Sequence, residues 1–253
     1  MITDPLFYAA AIPAVLLFGI SKGGFGGGLG TAAVPLMALV VSPVQAAAIL
    51  LPILCLMDLV ALWKFRGKWV WPELRILLPA SLLGILVGTL LFGYMSPFVV
   101  KLIVGTVAIT FTLHYWISRH RYRQPSLPDF PRKYGIVGAS VAGFTSFVAH
   151  AGGPPINMYL LRRPLNRTDF AATTIVFFAV VNYVKLVPYT WLGQFDATNL
   201  ATSAALAILA PVGVLTGAWL HARVSDGFFF AFVYVLLFAV GIKLVYDGVF
   251  GLF

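Results

Sequence analysis

The chain has 253 residues, of which 60% are hydrophobic and only 10% are charged, and its mean hydropathy is +0.95. These values exclude an ordinary soluble domain and indicate a polytopic membrane protein. The formal net charge of +9 does not indicate nucleic-acid binding, because the basic residues lie in loops between apolar segments, where they set orientation in a bilayer.

Six apolar segments of 20 to 24 residues can each cross the ~30 Å hydrocarbon core as a helix. They cover residues 44–63, 74–94, 98–118, 168–191, 200–220 and 228–250. The loops between them are short and leave no room for a soluble domain. We therefore expect an all-α fold of membrane-spanning helices.

Two further apolar regions, 6–41 and 134–161, are interrupted by glycine-rich stretches. These stretches read GISKGGFGGGLG at 19–30 and SFVAHAGGPPIN at 146–157. A continuous helix over 6–41 would be about 54 Å long, which is too long for one crossing. We expect each region to enter the membrane as two short legs of a re-entrant hairpin. Proline is tolerated in the first turn of a helix, so GGPP predicts the start of a second leg.

Basic residues lie on one side of this topology. They are Lys64, Arg66, Lys68, Arg75, Arg119, Arg121, Arg123, Arg132, Lys133, Arg162, Arg163, Arg167 and Arg223. The positive-inside rule predicts that this side is cytoplasmic and that both termini are outside. The last four residues join the others only if 134–161 is a hairpin, so the charges favour the hairpin over a single crossing.

The hairpins divide the chain into two similar halves. Residues 1–118 form the first predicted repeat, 119–133 a basic cytoplasmic linker, and 134–253 the second repeat. Each repeat has one hairpin and three crossings, and an odd number of crossings inverts the second repeat relative to the first. A shift of 125 pairs Ser21 with Ser146, and a shift of 129 pairs Gly84 with Gly213. Such matches arise by chance in a chain rich in glycine, so the charge pattern is the stronger argument.

Broken helices in a bilayer indicate a cavity, because irregular backbone survives there only when it is buried in protein or lines a watered space. The N-termini of half-helices carry partial positive charge and favour an anion. An alternative needs no ligand. Pairs such as Gly23 with Gly27, Gly84 with Gly88 and Gly213 with Gly217 fit small-residue helix packing.

Ionisable residues at membrane depth are candidate site residues, because each is costly there. Lys22 lies in the first break and His150 in the second. Asp58 and Lys185 lie within predicted spans, and Asn182 shares a helix face with Lys185. Alternatives stay open. Lys22, Asp58 and Lys185 can extend to the membrane surface, and the His150 side chain can cap a helix end through one hydrogen bond.

The motifs GGFGGGLGTAAVPL and GFTSFVAHAGGPPINMYLL, followed by DFAATT and NYVKL, resemble those of the TauE/SafE family of sulfite and organosulfonate exporters. The resemblance covers essentially the whole chain. It implies a multi-pass carrier of the bacterial inner membrane that moves small sulfur-containing anions outward. It also implies a central site at Gly26, Gly27, Gly28, Gly152, Gly153 and Pro154. His150 and the double proline depart from a plain glycine pattern.

We expect a secondary transporter that binds sulfite or an organosulfonate such as sulfoacetate near the bilayer midplane. Substrate contacts are predicted for the glycine and proline positions above and for Lys22, His150, Asn157, Asn182 and Lys185, with proton coupling at His150 and Asp58. The sequence carries no enzymatic motif, and we expect no catalysis, metal, cofactor or nucleic acid. The expected partners are the anion, the bilayer and a possible second copy in a homodimer. A membrane assembly or anchoring protein and an anion channel are the alternatives.

Overall fold

The structure is a computed structural model that describes residues 1–24, 29–118, 131–221 and 226–251. Regular secondary structure in these ranges is helical. The helices are α1 (Pro5–Gly24), a 3-10 turn (Leu29–Ala32), α2 (Ala33–Met37), α3 (Pro43–Lys64), α4 (Trp71–Phe92), α5 (Pro97–Ser118), α6 (Arg132–Ala149), α7 (Gly153–Leu160), α8 (Arg167–Trp191), α9 (Ala197–Leu206), α10 (Leu209–His221) and α11 (Asp226–Phe250). The candidate residues Gly26, Gly27 and Gly28 lie outside the described ranges.

Length and hydropathy confirm a protein that crosses a membrane several times. Within the described ranges, five helices are long and apolar enough to do so, namely α1, α3, α4, α5 and α8, and α9 with α10 forms a sixth candidate. The predicted segment 228–250 lies in α11. The hydrophobic pattern therefore located each of the six predicted segments to within a few residues.

The predicted single span over 200–220 is wrong in one respect, because it contains two helices. α9 ends at Leu206 and α10 begins at Leu209, with a bend of 42° between them. Pro211 explains the break, since it has no N–H to donate to the carbonyl of Ala207 and its ring obstructs that position. Hydropathy does not detect such a bend, because proline interrupts the hydrogen bonds without making the segment more polar.

The second glycine-rich region forms a hairpin in the structure. α6 ends at Ala149 and α7 begins at Gly153, with Pro154 and Pro155 in its first turn, as the GGPP motif predicts. A Cβ added to Gly135 would lie 2.7 Å from the Tyr159 ring. Because Gly135 is near the start of α6 and Tyr159 near the end of α7, the second leg must run back along the first.

The helices before and after each glycine-rich stretch are unequal in length, which differs from the prediction of two short legs. α1 has 20 residues and is long enough to cross, whereas α2 has five. Glycines explain the length of α1. Gly19 and Gly23 lie against the backbone of α10, where a Cβ would overlap Gly213 and Val214, so this packing continues almost to the break.

The first helix of each half packs on a helix of the other half. α1 contacts α10, α6 contacts α4, α5 contacts α11 and α3 contacts α8. The first two contacts depend on small residues: Gly84 lies against the Ser140 carbonyl and Gly217 against that of Ile20. The interpretation of Gly84, Gly213 and Gly217 as packing residues is confirmed. α3 and α8, which contact each other and are mostly buried, lie at the centre.

Candidate functional site

A buried ion pair joins α1 to α3 in the interior. The Lys22 ammonium bonds to Oδ1 of Asp58 at 2.5 Å and donates to the Leu54 carbonyl at 3.1 Å. The second carboxylate oxygen of Asp58 accepts a hydrogen bond of 2.7 Å from the side-chain amide of Asn182 on α8. Because both of its oxygens act as acceptors, the Asp58 carboxylate is held in one orientation between two helices.

One turn further along α8, Lys185 connects that helix to the end of α6. Its ammonium donates to the Ser146 carbonyl at 2.9 Å and to the Ser146 hydroxyl at 3.0 Å, and it lies 2.7 Å from Nδ1 of His150. These three acceptors match the three hydrogens of an ammonium group. Within the described ranges, no carboxylate lies within salt-bridge distance of Lys185.

The imidazole of His150 is held at both nitrogens. Nε2 lies 2.9 Å from the Ala47 carbonyl, which only accepts, so Nε2 carries a hydrogen and Nδ1 faces the Lys185 ammonium. The backbone of His150 is left-handed, with φ of 51°, and its N–H bonds to the Ser146 carbonyl. This is an αL helix end at a position usually taken by glycine. His150 therefore caps the broken leg, as one alternative predicted, but it does so through its backbone N–H. Its ring instead links α3 to α8.

The buried ionisable side chains do not extend to the membrane surface. Relative exposure is 5% for Lys22, 0% for Asp58, 0% for Lys185 and 4% for His150. Each end group bonds to another buried element, so the alternative of extended lysines is wrong for Lys22 and Lys185, and the matching alternative for Asp58 is wrong as well.

A small pocket opens between the two polar clusters. Its described lining is Phe18, Lys22, Ser146, His150, Gly153, Phe178 and Asn182. It has room for about one water molecule. Gly153 begins α7, so its N–H has no acceptor within that helix and lies beside the pocket. Pro154 and Pro155 lack an N–H, which leaves Gly153 as the first helical donor at this end.

The predicted site residues separate into two groups. The pocket brings together Lys22, His150, Gly153 and Asn182, with Asp58 and Lys185 bonded directly behind them. Gly152 immediately precedes α7, whereas Pro154 and Asn157 lie within α7 and are not among the pocket-lining residues that the structure describes. Gly26, Gly27 and Gly28 cannot be assigned to either group.

Sequence reasoning did not identify Ser146, Phe18 and Phe178 as residues that line the pocket. Ser146 holds the Lys185 ammonium with both its carbonyl and its hydroxyl. Phe18 lies one turn before Lys22, with its ring centroid 5.9 Å from the ammonium. The helical spacing of Phe18 from Lys22 was the available signal for this contact.

A third polar cluster lies away from the pocket, where α4 begins and α7 ends. The buried carboxylate of Glu73 accepts 2.8 Å hydrogen bonds from the Tyr159 hydroxyl and the Arg163 guanidinium. A Gln45 to Asn199 hydrogen bond of 3.1 Å joins the starts of α3 and α9. The contact of Arg163 with Glu73 is therefore ionic, whereas the contact of Gln45 with Asn199 joins two neutral amides.

Substituting Gly152 by alanine should displace the start of α7. A Cβ there would lie 2.6 Å from the Ala142 carbonyl and 2.9 Å from the Phe178 ring, and backbone cannot yield as a flexible side chain does. We expect a loss of about 1–3 kcal/mol in the free energy of unfolding. Thermal unfolding in detergent measures this effect.

Gly93→Ala is the matched control, because nothing lies within 4 Å of a Cβ at Gly93 and its φ is −64°. Equal behaviour of the two alanine variants would contradict the close packing of Gly152.

Comparison with known proteins adds a family to this geometry. Residues 11–244 match the family model described as Sulfite exporter TauE/SafE. No curated protein and no solved structure matches the chain. The match covers both hairpin regions, the ion pair, the Lys185 cluster and the pocket between them. The chain therefore belongs to the TauE/SafE sulfite exporter family.

Proposed function

We propose that the protein is a secondary transporter that exports sulfite or a small organosulfonate and binds the anion in the pocket between the hairpins. The observation that carries this proposal is the buried cation of Lys185. Its side chain is fully buried, and no carboxylate in the described ranges lies within salt-bridge distance of it. A buried charge is costly, so a counter-charge that arrives with the substrate would offset the cost.

Donors for an oxyanion surround the pocket. The Lys22 ammonium, the Ser146 hydroxyl, the Asn182 amide and the Gly153 N–H all belong to lining residues. An anion there is near the N-terminus of α7, whose partial positive charge adds to that of the lysines. The narrow pocket requires movement of Phe18 or Phe178 before such an anion enters.

Reciprocal packing between the halves supports an inverted repeat. Exchanging the two halves turns the α1 to α10 contact into the α6 to α4 contact, and it returns the α3 to α8 and α5 to α11 contacts to themselves. A pseudo-two-fold axis between α3 and α8 has this property. In transporters built this way, the substrate lies near that axis and is reached alternately from each side.

Proton coupling follows from competition for Lys22. In the described conformation the Lys22 ammonium is bound to Asp58, so an anion would compete with that carboxylate for its charge. A proton on Asp58 would weaken the ion pair and release Lys22 to the substrate. His150 and Lys185 share a second exchangeable proton along the bond at Nδ1. We propose these two residues as the coupling groups.

The proposed orientation places the basic loops in the cytoplasm and both termini outside a bacterial inner membrane. The homodimer stays a prediction.

Purified protein in liposomes should carry out saturable sulfite flux that changes with an imposed pH gradient. His150→Asn tests the site, because asparagine tolerates the left-handed backbone but lacks the ring that bonds Ala47 and Lys185. We expect this variant and Lys22→Ala to reduce flux by at least ~10-fold.

His114→Asn is the control, because this half-buried histidine lies on α5 outside the pocket lining. Unchanged flux in both site variants would contradict the residue assignment. Ionic currents far above carrier turnover would indicate a channel, and absence of any flux would favour an assembly role.

A further inference from the structure

We infer that the site selects anions by valence and takes monovalent sulfonates in preference to divalent ones while Asp58 is ionised. This inference rests on the proposed function and names a substrate class within it. The basis is the sum of the charges around the pocket, which the hydrogen bonds limit group by group.

The Lys22 to Asp58 pair contributes no net charge. Asp58 accepts hydrogen bonds at both carboxylate oxygens, from Lys22 and from Asn182, as an ionised carboxylate does. The Lys22 ammonium donates to that carboxylate and to a carbonyl. The positive and negative charges are thus in direct contact and cancel.

Lys185 and His150 together contribute at most one positive charge. Nε2 of His150 faces a carbonyl and keeps its hydrogen, so one hydrogen is shared along the bond from Nδ1 to the Lys185 nitrogen. When Lys185 donates to both oxygen atoms of Ser146, the pair carries one positive charge whichever nitrogen holds the shared hydrogen. A second positive charge would set two hydrogens against each other between these nitrogens, so the four ionisable groups sum to no more than one positive charge.

The remaining described lining of the pocket, which is Phe18, Ser146, Gly153, Phe178 and Asn182, carries no ionisable side chain. In a buried site an excess charge of either sign is poorly screened. A monovalent anion can bring the sum to zero, whereas a divalent anion leaves at least one negative charge uncompensated. The two phenyl rings also give the carbon part of an organosulfonate an apolar surface.

Isethionate and sulfoacetate separate valence from size, because both are two-carbon sulfonates and sulfoacetate carries one more negative charge. Competition between them for uptake into proteoliposomes should favour isethionate by ~10-fold or more in the unmodified protein. Asp58→Asn keeps the size of the side chain and removes its charge. It should shift the ratio toward sulfoacetate by ~10-fold or more, since the site then carries one more positive charge than in the unmodified protein.

The double variant Lys22→Met with Asp58→Asn removes one charge of each sign and restores the charge sum of the unmodified site. It should transport more slowly but keep the preference for isethionate, and it remains informative if Asp58→Asn alone does not fold. Asp247→Asn is the control for carboxylate removal, because Asp247 pairs with Lys243 outside the pocket.

The outcomes separate the two proposals. Transport of both sulfonates with the same ratio in the unmodified protein and in Asp58→Asn would overturn the valence rule and leave the exporter intact. Loss of the isethionate preference in the double variant would also overturn the rule. Absence of saturable transport of either sulfonate, with sulfite flux intact, would overturn the rule alone, and absence of sulfite flux as well would overturn the proposed function together with the rule.

Discussion

Lys185→Met is expected to reduce anion transport by ~100-fold or more, with only a small change in fold stability. The substitution keeps an unbranched side chain of similar length and removes the buried charge that the substrate is proposed to neutralise. Loss of one buried charge interaction of about 3 kcal/mol corresponds to this factor. Flux in proteoliposomes measures the first effect.

Thermal unfolding in detergent measures the second effect. The variant loses three hydrogen bonds to Ser146 and His150, but it no longer buries an ammonium. These changes oppose each other, so we expect a net difference below about 2 kcal/mol. Lys243→Met is the control, since Lys243 is half exposed. Normal transport by Lys185→Met would refute the role of this cation, and collapse of the fold would make Lys185 a structural residue.

Breaking the Lys22 to Asp58 pair from one side should destabilise the protein more than removing both charges. Lys22→Met leaves a buried carboxylate without its cation, and Asp58→Asn leaves a buried ammonium without its anion. Each single change is expected to cost about 3–5 kcal/mol. The double variant should cost less than the sum of the two, because no uncompensated charge remains.

Reversible unfolding of the four proteins gives the coupling energy of this double-mutant cycle. The same cycle on the exposed Lys243 to Asp247 pair should give no more than about 0.5 kcal/mol, as is usual for helix-surface pairs. A coupling energy near zero at Lys22 and Asp58 would mean that the two charges do not depend on each other in the folded protein.

The sequence was sufficient to predict the helices, because membrane spans and their interruptions are local properties. GGPP predicted the start of α7 at Gly153, since proline is well tolerated in the first turn of a helix. Charged residues in apolar segments likewise identified Lys22, Asp58, His150 and Lys185 as unusual. Their cost in hydrocarbon is a property of each residue and does not require knowledge of its neighbours.

The partners of these residues were not predictable, because they are distant in the chain. Asp58 meets Asn182 across 124 positions, and His150 meets Ala47 across 103. Without those contacts, a lysine that extends to the surface and a lysine held in the interior have the same local sequence. The bend at Pro211 was missed for a different reason, since hydropathy measures polarity and not the continuity of backbone hydrogen bonds.

The crossed packing of the halves limits how the two sides of the membrane could open in turn. α1 packs on α10 and α6 packs on α4 through glycine contacts without intervening side chains. Rotation of either half as a block would separate both helix pairs. Any rigid moving part must therefore combine helices from both halves. A cross-link between α1 and α10, or between α6 and α4, should therefore be tolerated during transport, whereas a cross-link that joins α10 to α4 should arrest transport.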